Sequence, residues 1–254
     1  MLSAGQHNPT GRFDGLASLY AANRPSYPAA AIAMIVDSMP DRDRPITEVG
    51  SGTGILTRQL AAAGTHVIGI EPNESMRAEA GPAGAGIEYR AGQAESTGLE
   101  AGSASAIVAG QTFHWCEPVA SLREFHRILM PGGWVNLIWN VNDAGDPLAS
   151  AFWAVLTQAS TERQIVSKPH YTAGQALLES SLFVNGERHE FANAQQLDRE
   201  GFVGRAFSAS FAPKECGASQ ALADGLRRLF DEHASGGTVS LKYITMMYRA
   251  CRLT

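Results

Sequence analysis

The sequence ITEVGSGTG at residues 46–54 constrains the fold more than any other stretch, because it joins a strand-like run to three alternating glycines. Glycine lacks a Cβ atom, so the backbone at Gly50, Gly52 and Gly54 can turn sharply and approach a ligand closely. The residues after Gly54 are typical of a helix, whose first amide groups have no partner inside the helix. A strand, a glycine turn and a helix in this order predict a ligand site above the turn.

Strand-like and helix-like segments alternate through the first half of the chain, a spacing typical of a parallel sheet with helices on both faces. Residues 1–12 show no pattern, and the signal weakens again after Asn140. The predicted strands are 45–49, 65–70, 87–91, 105–109, 134–139, 186–191 and 238–248, with a turn at 131–133. The predicted helices are a short one from Phe13 that ends before Pro25, then 29–39, 54–63, 73–80, 118–130, 148–160, 172–183, 196–208 and 217–234.

Composition argues against several classes of protein. The 254 residues are 44% apolar and 18% charged, and the net charge of -5 provides no broad basic surface for nucleic acid. No apolar run approaches the roughly 20 residues of a membrane helix, and the N-terminus lacks the features of a signal peptide. The three cysteines are too scattered for a disulfide framework, and the histidines show no metal-ligand spacing. We therefore expect a cytoplasmic protein without a metal, a membrane segment or a nucleic-acid partner.

The residues around the glycines separate three kinds of ligand site. A phosphate loop needs a lysine after its glycines, and none follows here. A dinucleotide site needs its third glycine three positions after the second, where this chain has Ile55. The carboxylate of Glu48 would repel a pyrophosphate and attract a cation. The turn therefore favours a positively charged cofactor, one with an amino group and a sulfonium.

Glu71 supplies the second element of a nucleoside site. It ends the second predicted strand, 17 residues after Gly54. An acid about 20 residues beyond a glycine turn commonly binds ribose hydroxyls. We expect this role for Glu71, with a solvated strand-end acid as the alternative.

At this point the chain resembles the class I S-adenosylmethionine-dependent methyltransferases. The matching motifs are EVGSGTG, IGIEPNESM, GQAE, GQTFHW and RILMPGG. The segments FDGLASLYAANRPSYP, GQTFHWCEP and YITMMYRAC are similar to the small-molecule branch, methyltransferase type 11, which includes trans-aconitate methyltransferase-like proteins. The resemblance is specific over residues 13–140, and over 141–254 it extends to the order of elements and the last of these segments.

The resemblance implies a fold, a cofactor and a division of the chain. The implied fold is α/β, doubly wound and Rossmann-like, with a mostly parallel seven-stranded sheet and a helical cap insertion. The cofactor would be S-adenosylmethionine and the product S-adenosylhomocysteine. The division would be 1–44 as N-terminal lid helices, 45–140 as the cofactor-binding core, 141–182 as the cap, and 183–254 as the C-terminal completion of the sheet.

The resemblance also implies a role for individual residues. Glu48 would face the amino group of the cofactor, Glu71 would hold the ribose hydroxyls, and Arg24 would bind the carboxylate through two parallel hydrogen bonds. Asn73 and Met76 would flank the adenine. The implied cofactor-binding set is Tyr20, Arg24, Glu48, Gly50, Ser51, Gly52, Gly54, Glu71, Pro72, Asn73, Met76, Gln93, Ala94, Glu95, Gln111 and Thr112.

Two members of this set need comment. Gln93 stands where many relatives have Asp, but an amide oxygen can accept from the adenine amino group as well as a carboxylate can. Gln111 follows the fourth strand and would lie beside the sulfonium.

The ends of the fourth and fifth strands predict the acceptor side of the site. His114 is the candidate general base, because unperturbed imidazole titrates near neutrality; the alternative is a histidine that orders its loop. Phe113, Trp115 and Trp139 could wall the acceptor pocket or could pack in the core. Tyr171, Tyr243 and Tyr248 are further candidates for the pocket from the second half of the chain, and Cys116 is expected to be structural.

The sequence therefore predicts methyl transfer to a small organic acceptor. The GQTF sequence after the fourth strand differs from the [DN]PP[YF] motif of enzymes that methylate amino groups of nucleic-acid bases, so transfer to oxygen or carbon is favoured. The alternatives are a nicotinamide-dependent oxidoreductase and a non-catalytic binding protein of the same fold. We expect a monomer or a homodimer.

Overall fold

The computed structural model describes Gly15 and residues 17–82, 84, 86–160 and 170–253. Its sheet is built from seven strands separated mostly by helices. The strands are β1 Ile46–Val49, β2 Val67–Ile70, β3 Ile87–Arg90, β4 Ala104–Gly110, β5 Leu129–Asn142, β6 Val184–Leu197 and β7 Val239–Cys251.

The strand order is β3-β2-β1-β4-β5-β7-β6. Strands β1 to β5 pair in parallel, and β7 runs antiparallel to both β5 and β6. Strands β1, β2 and β3 extend the sheet in one direction. After β3 the chain crosses back past β2 and β1, and β4 pairs with the other edge of β1. The predicted Rossmann-like, mostly parallel seven-stranded sheet is confirmed.

Helices cover both faces of this sheet. The described helices are α1 Ala17–Asn23, α2 Ala29–Asp37, α3 Ile55–Ala62, α4 Glu74–Ala80, α5 Pro118–Ile128, α6 Pro147–Ala159, α7 Gln175–Leu178, α8 Arg199–Phe207 and α9 Cys216–His233, with 3-10 turns at Phe113–Trp115 and His170–Gly174. Alternate residues of β4 face opposite layers. Val108 packs with the cluster that contains α2 and α3, whereas Ile107 packs with the cluster that contains α5.

A third apolar cluster lies among α6, α8 and α9. Helix α6 begins at Pro147, and the side chain of Asp146 accepts the Ala149 amide at 2.9 Å. The buried face of this helix includes Phe152, whose ring meets that of Phe202 in α8 at 5.0 Å between centroids. Because α8 and α9 join this layer, the segment 183–254 contributes helices to it as well as two strands to the sheet.

Some element boundaries differ from those predicted. The turn expected at 131–133 lies within β5, because the backbone of Gly132 and Gly133 exchanges hydrogen bonds with Arg252 after β7. The helix expected at 172–183 is shortened to α7, preceded by the 3-10 turn. Strand β6 is longer than predicted, since its polar residues pair along the whole length of β7. Residues 1–14 and 16, which include the first part of the predicted N-terminal helix, lie outside the described residues.

Helix α1 packs on α8, far from it in sequence. A Cβ atom at Gly204 would lie 2.6 Å from Oδ1 of Asn23, so a larger residue would force the Asn23 side chain to move. The side chain of Gln195 donates to the carbonyl oxygen of Asn23 at 3.0 Å. These contacts place the N-terminal helix over the carboxyl ends of the parallel strands. Within the described residues, no helix has the length and apolar character required to cross a membrane.

Candidate functional site

The three glycines of the turn have different structural roles. All three have positive φ angles, 71° at Gly50, 53° at Gly52 and 77° at Gly54. A Cβ atom at Gly50 would lie 2.2 Å from Cγ2 of Thr112, and one at Gly54 would lie 2.2 Å from the hydroxyl oxygen of Tyr89. At Gly52 the nearest atom would be Cε of Met76 at 3.4 Å. Gly52 is therefore the glycine whose missing side chain leaves room for a ligand.

A cavity of about 430 Å³ lies above this turn, at the carboxyl ends of β1, β2 and β4. We call it the turn cavity. Fifteen of the sixteen expected cofactor-binding residues line it. The sixteenth, Gly54, lies behind the turn, against Tyr89 and at the start of α3. Trp115, which was expected on the acceptor side, also lines this cavity. The fifteen are Tyr20, Arg24, Glu48, Gly50, Ser51, Gly52, Glu71, Pro72, Asn73, Met76, Gln93, Ala94, Glu95, Gln111 and Thr112.

Glu71 is held firmly at the wall of the turn cavity. One carboxylate oxygen accepts the Gly52 amide at 3.0 Å and the other accepts the Asn73 amide at 2.9 Å. The Asn73 side chain in turn caps α4 by accepting the Met76 amide at 2.9 Å. Burial raises the pKa of Glu71, while the two amides oppose that shift. Each carboxylate oxygen keeps a second acceptor position, as binding two hydroxyl groups requires.

Glu48 is the most deeply buried acid of the site. It is 2% exposed, and the Thr57 hydroxyl donates to its carboxylate. Burial raises its pKa to about 8, the Thr57 hydrogen bond opposes the shift, and the Glu71 carboxylate adds to it. A cation in the turn cavity would favour the ionised form.

Arg24 follows α1 and lines the cavity from the side opposite the sheet. Its guanidinium donates to the Ser208 carbonyl oxygen at 2.8 Å and lies 4.6 Å from the ring centroid of Tyr20. Burial and the neighbouring Arg205 guanidinium lower the pKa of Arg24 to about 10, so it stays protonated at neutral pH. No carboxylate lies within ion-pair distance of Arg24 among the described residues.

Gln111 follows β4 in a left-handed conformation, with φ of 56°. This conformation costs a residue other than glycine about 1–2 kcal/mol. Its side chain donates to the Asn140 carbonyl oxygen at 3.0 Å, which holds it between β4 and β5. The next residue, Thr112, places its hydroxyl 2.9 Å from the Gly110 carbonyl oxygen and 3.2 Å from that of Gly50. Strain of this kind recurs at functional sites.

A second cavity, of about 660 Å³, extends from Gln111 toward the helical layer. We call it the cap cavity. Side chains of β5, α6, α8 and the 3-10 turn at His170–Gly174 line it. The two cavities share five residues: Tyr20, Arg24, Gln111, Trp115 and Asn140.

Three of the four expected acceptor residues line the cap cavity: His114, Trp115 and Trp139. Phe113 does not. It lines neither cavity and packs against Phe125 of α5, so the interpretation of Phe113 as pocket wall is wrong and core packing explains it. Of the three tyrosine candidates, Tyr171 lines the cavity. Tyr243 and Tyr248 are buried beside it.

The surroundings of His114 do not suit a general base. Nε1 of Trp139 lies 3.2 Å from Nδ1 of His114 and donates to it. The neutral imidazole therefore carries its proton on Nε2, which makes that nitrogen a donor. Burial, helped by the stacked His170 ring at 4.2 Å, lowers the pKa of His114 to about 3. His114 is thus a weak base with a fixed tautomer.

Cys116 lies in the wall of the turn cavity. Burial and Glu95 raise the pKa of its thiol to about 12, which agrees with the expected structural role.

Several lining residues were missed from the sequence, namely Trp153, His170, Arg205 and Phe211. They lie in the half of the chain where periodicity is weak. For Arg205 there was a signal, since Arg205 follows Phe202 at helical spacing and so falls on the apolar face of α8.

Comparison with known proteins finds similarity to methyltransferases in both sequence and fold. Residues 47–137 match the family described as a methyltransferase domain. An uncharacterised methyltransferase of Mycobacterium tuberculosis is 29% identical over 182 residues, which is 66% of this chain and 74% of the relative.

Two solved structures share the fold. One, assigned as a type II methyltransferase of Anaeromyxobacter dehalogenans, has a TM-score of 0.65 at 21% identity, over 90% of this chain and 97% of its own. Another, from Anabaena variabilis and assigned to a methyltransferase of antibiotic biosynthesis, has a TM-score of 0.60 at 17% identity, over 89% and 98%.

Proposed function

Since the chain carries a methyltransferase domain of the S-adenosylmethionine-dependent class, we propose that it methylates a small organic acceptor bound in the cap cavity. The observation that carries this proposal is the junction of the two cavities at Gln111. One cavity has the features of a nucleoside site, and the other opens from it between aromatic side chains. Such an arrangement brings two reactants together, an effect that can supply about 7–11 kcal/mol.

The residues of the turn cavity fit the cofactor. Gly52 leaves open space at the wall, Glu71 offers acceptor positions for two ribose hydroxyls, and Glu48 provides a buried acid for an amino group. Arg24 provides the cation for the carboxylate. When bound, S-adenosylmethionine supplies a methyl group that is already activated by its sulfonium.

The residues of the cap cavity position the acceptor. His114 offers the Nε2 hydrogen as a donor, and Trp115 and Trp139 provide flat apolar surfaces. Because no strong base stands among the described residues at the junction, the site suits a nucleophile that is ionised or readily loses its proton. Oxygen and carbon acceptors meet this condition, and a cavity of about 660 Å³ suits a small molecule.

Two further features belong to the proposal. The division into lid, core, cap and sheet completion, with boundaries at 44/45, 140/141 and 182/183, describes how the chain builds the two cavities, with α8 and α9 added to the cap. A cytoplasmic location and a monomeric or homodimeric state complete it.

The test begins with cofactor binding. Thermal shift is measured with S-adenosylmethionine, S-adenosylhomocysteine, NAD and NADP, and we expect the first two alone to stabilise the protein. Transfer of a labelled methyl group is then followed across a panel of small acids, phenols and activated carbon acids. Stabilisation by a dinucleotide alone would overturn the proposal. Cofactor binding without transfer to any acceptor would favour a non-catalytic binding protein.

A further inference from the structure

Arg205 is a buried cation in the wall of the cap cavity. It lies on α8 and is 6% exposed. Its Nε donates to the Tyr243 hydroxyl at 2.9 Å, and its guanidinium carbon lies 5.6 Å from the Tyr243 ring centroid. These contacts fix the plane of the guanidinium and use its Nε edge, which leaves the two Nη atoms as the available fork.

The charge of Arg205 is not balanced by the described part of the chain. No described carboxylate lies within 4.0 Å of it, whereas Arg199 on the same helix pairs with Asp231 at the surface. The described acid of the cap cavity wall, Asp143, already accepts the Gly145 amide at 2.9 Å. A second cation, Arg24, lies nearby: burial lowers its pKa, and the charge of Arg205 lowers it further. A buried guanidinium without an anionic partner is costly, because it has lost its hydration.

The two arginines differ in position. Arg24 lines both cavities, whereas Arg205 lines the cap cavity and not the turn cavity. A carboxylate on the cofactor side can therefore balance Arg24, but it leaves Arg205 without an anion. Within the described residues nothing supplies that anion, whereas a molecule bound in the cap cavity can bring one.

We propose that Arg205 is the anchor for a carboxylate on the acceptor, so that the protein methylates organic acids at an atom other than the anchored group. Guanidinium and carboxylate match as two parallel charge-assisted hydrogen bonds from the Nη fork. The flat side chains of Trp115, Trp153 and Phe211 on the same walls suit an aromatic or other planar body. This inference rests on the proposed function and specifies its substrate class.

The test compares acids with their neutral amides. Phenylacetate and phenylacetamide, and indole-3-acetate and indole-3-acetamide, are titrated by calorimetry in saturating S-adenosylhomocysteine. We expect each acid to bind the wild type at least about 10-fold more tightly than its amide, because a charge-assisted pair is stronger than a neutral one. Arg205→Gln should remove this preference while leaving amide affinity within twofold. Arg205→Lys should retain part of it, since the charge remains and the fork is lost.

Arg199→Gln is the matched control, because Arg199 is on the same helix, exposed and remote from the cap cavity, and it should keep the full preference. Melting curves and the dissociation constant of S-adenosylhomocysteine verify that each variant is folded and has an intact turn cavity. Equal binding of acid and amide to the wild type, no binding by any of the acids, or an acid preference that survives in Arg205→Gln would overturn the inference. Failure of the wild type to bind S-adenosylhomocysteine would instead refute the proposed function.

Discussion

The turn cavity, of about 430 Å³, and the cap cavity, of about 660 Å³, are neighbours, but the chain builds them differently. The turn cavity is formed largely by short segments that directly follow β1, β2, β3 and β4, and backbone amides hold Glu71 in place. The cap cavity is formed by side chains from residue 20 to residue 211, carried by elements of different type. A backbone-built wall tolerates few local changes, whereas a side-chain wall can be altered one residue at a time. This difference suits a constant cofactor beside a variable acceptor.

The two cavities also differ in their buried ionisable groups. The turn cavity holds Glu48 and Glu71, and the cap cavity wall holds the buried Arg205, with Arg24 between them. We therefore expect substitutions in the turn cavity to change cofactor affinity, and substitutions in the cap cavity to change acceptor affinity. The following variants test this separation.

The largest effect is expected for Glu71→Ala. The variant loses the acceptor for two ribose hydroxyls and leaves the amides of Gly52 and Asn73 without their partner. We expect the dissociation constant of S-adenosylhomocysteine to rise at least about 100-fold, since two charge-assisted hydrogen bonds contribute about 1.5–3 kcal/mol each. Calorimetry measures it. His114→Ala is the comparison variant and should change this constant less than threefold; equal constants for wild type and Glu71→Ala would refute the ribose role.

Glu48 should make the stability of the protein without cofactor depend on pH. Its folded pKa of about 8 lies above the ordinary value of 4.5, so between these values the folded state retains a proton that the unfolded state has lost. Stability therefore falls as the pH rises, by on the order of 2 kcal/mol between pH 5 and 7. Urea unfolding at pH 5, 6 and 7 measures this, and Glu48→Gln should remove this component. Parallel pH profiles for the two proteins would contradict the assignment.

Gly52→Ala separates the cavity from the backbone conformation. The added methyl group meets only Met76 at 3.4 Å, so it projects into cofactor space, and we expect cofactor affinity to fall about 10-fold. Gly64→Ala is the control, because Gly64 also has a positive φ, 84°, and no atom within 4 Å of its added Cβ. Both variants should lose about 1–2 kcal/mol of stability from left-handed strain. Equal cofactor affinity in the two variants would show that Gly52 does not border the ligand.

The smallest effect is expected for Trp139→Phe. It removes the indole donor to Nδ1 of His114 and frees the imidazole to adopt either tautomer. We expect KM for the acceptor to rise about threefold, with kcat and cofactor affinity unchanged, because one neutral hydrogen bond contributes about 0.5–1.5 kcal/mol. Steady-state kinetics measure KM and kcat separately.

Above pH 5 the rate of the wild type should show no ionisation from His114, whose pKa is about 3. A rate that rises with a pKa near 6.5 and loses this dependence in His114→Asn would restore His114 as a base.

The difference between the cavities also explains what the sequence could predict. The sheet and the turn cavity follow from local patterns, because glycine spacing, strand length and the acid after β2 act over a few residues. Gly54 was misassigned because a positive φ has two causes, room for a ligand and room for a neighbouring side chain, and here Tyr89 is the neighbour.

The cap cavity lacks such local patterns. Phe113 and Trp139 were both candidates for the acceptor pocket, yet one packs on α5 and the other reaches His114. Which aromatic residue faces the cavity depends on helices that arrive from residues 147–211, and no spacing in the chain encodes their approach. Arg205 could have been noticed as a charge on an apolar helix face. That Tyr243 and Arg24 would lie beside it could not have been predicted from the sequence.

The contact between α1 and α8 has a consequence for how the protein forms during synthesis. Arg24 donates to the carbonyl oxygen of Ser208, 184 residues later, and Asn23 packs against Gly204. The residues that border both cavities at the N-terminal side can therefore dock only after α8 has left the ribosome. The strands and glycine turn of the core, whose contacts are more local, can assemble earlier. A nascent chain arrested before residue 199 should have a formed turn beside an undocked N-terminal helix, so this helix cannot complete the wall of either cavity until α8 has been synthesised.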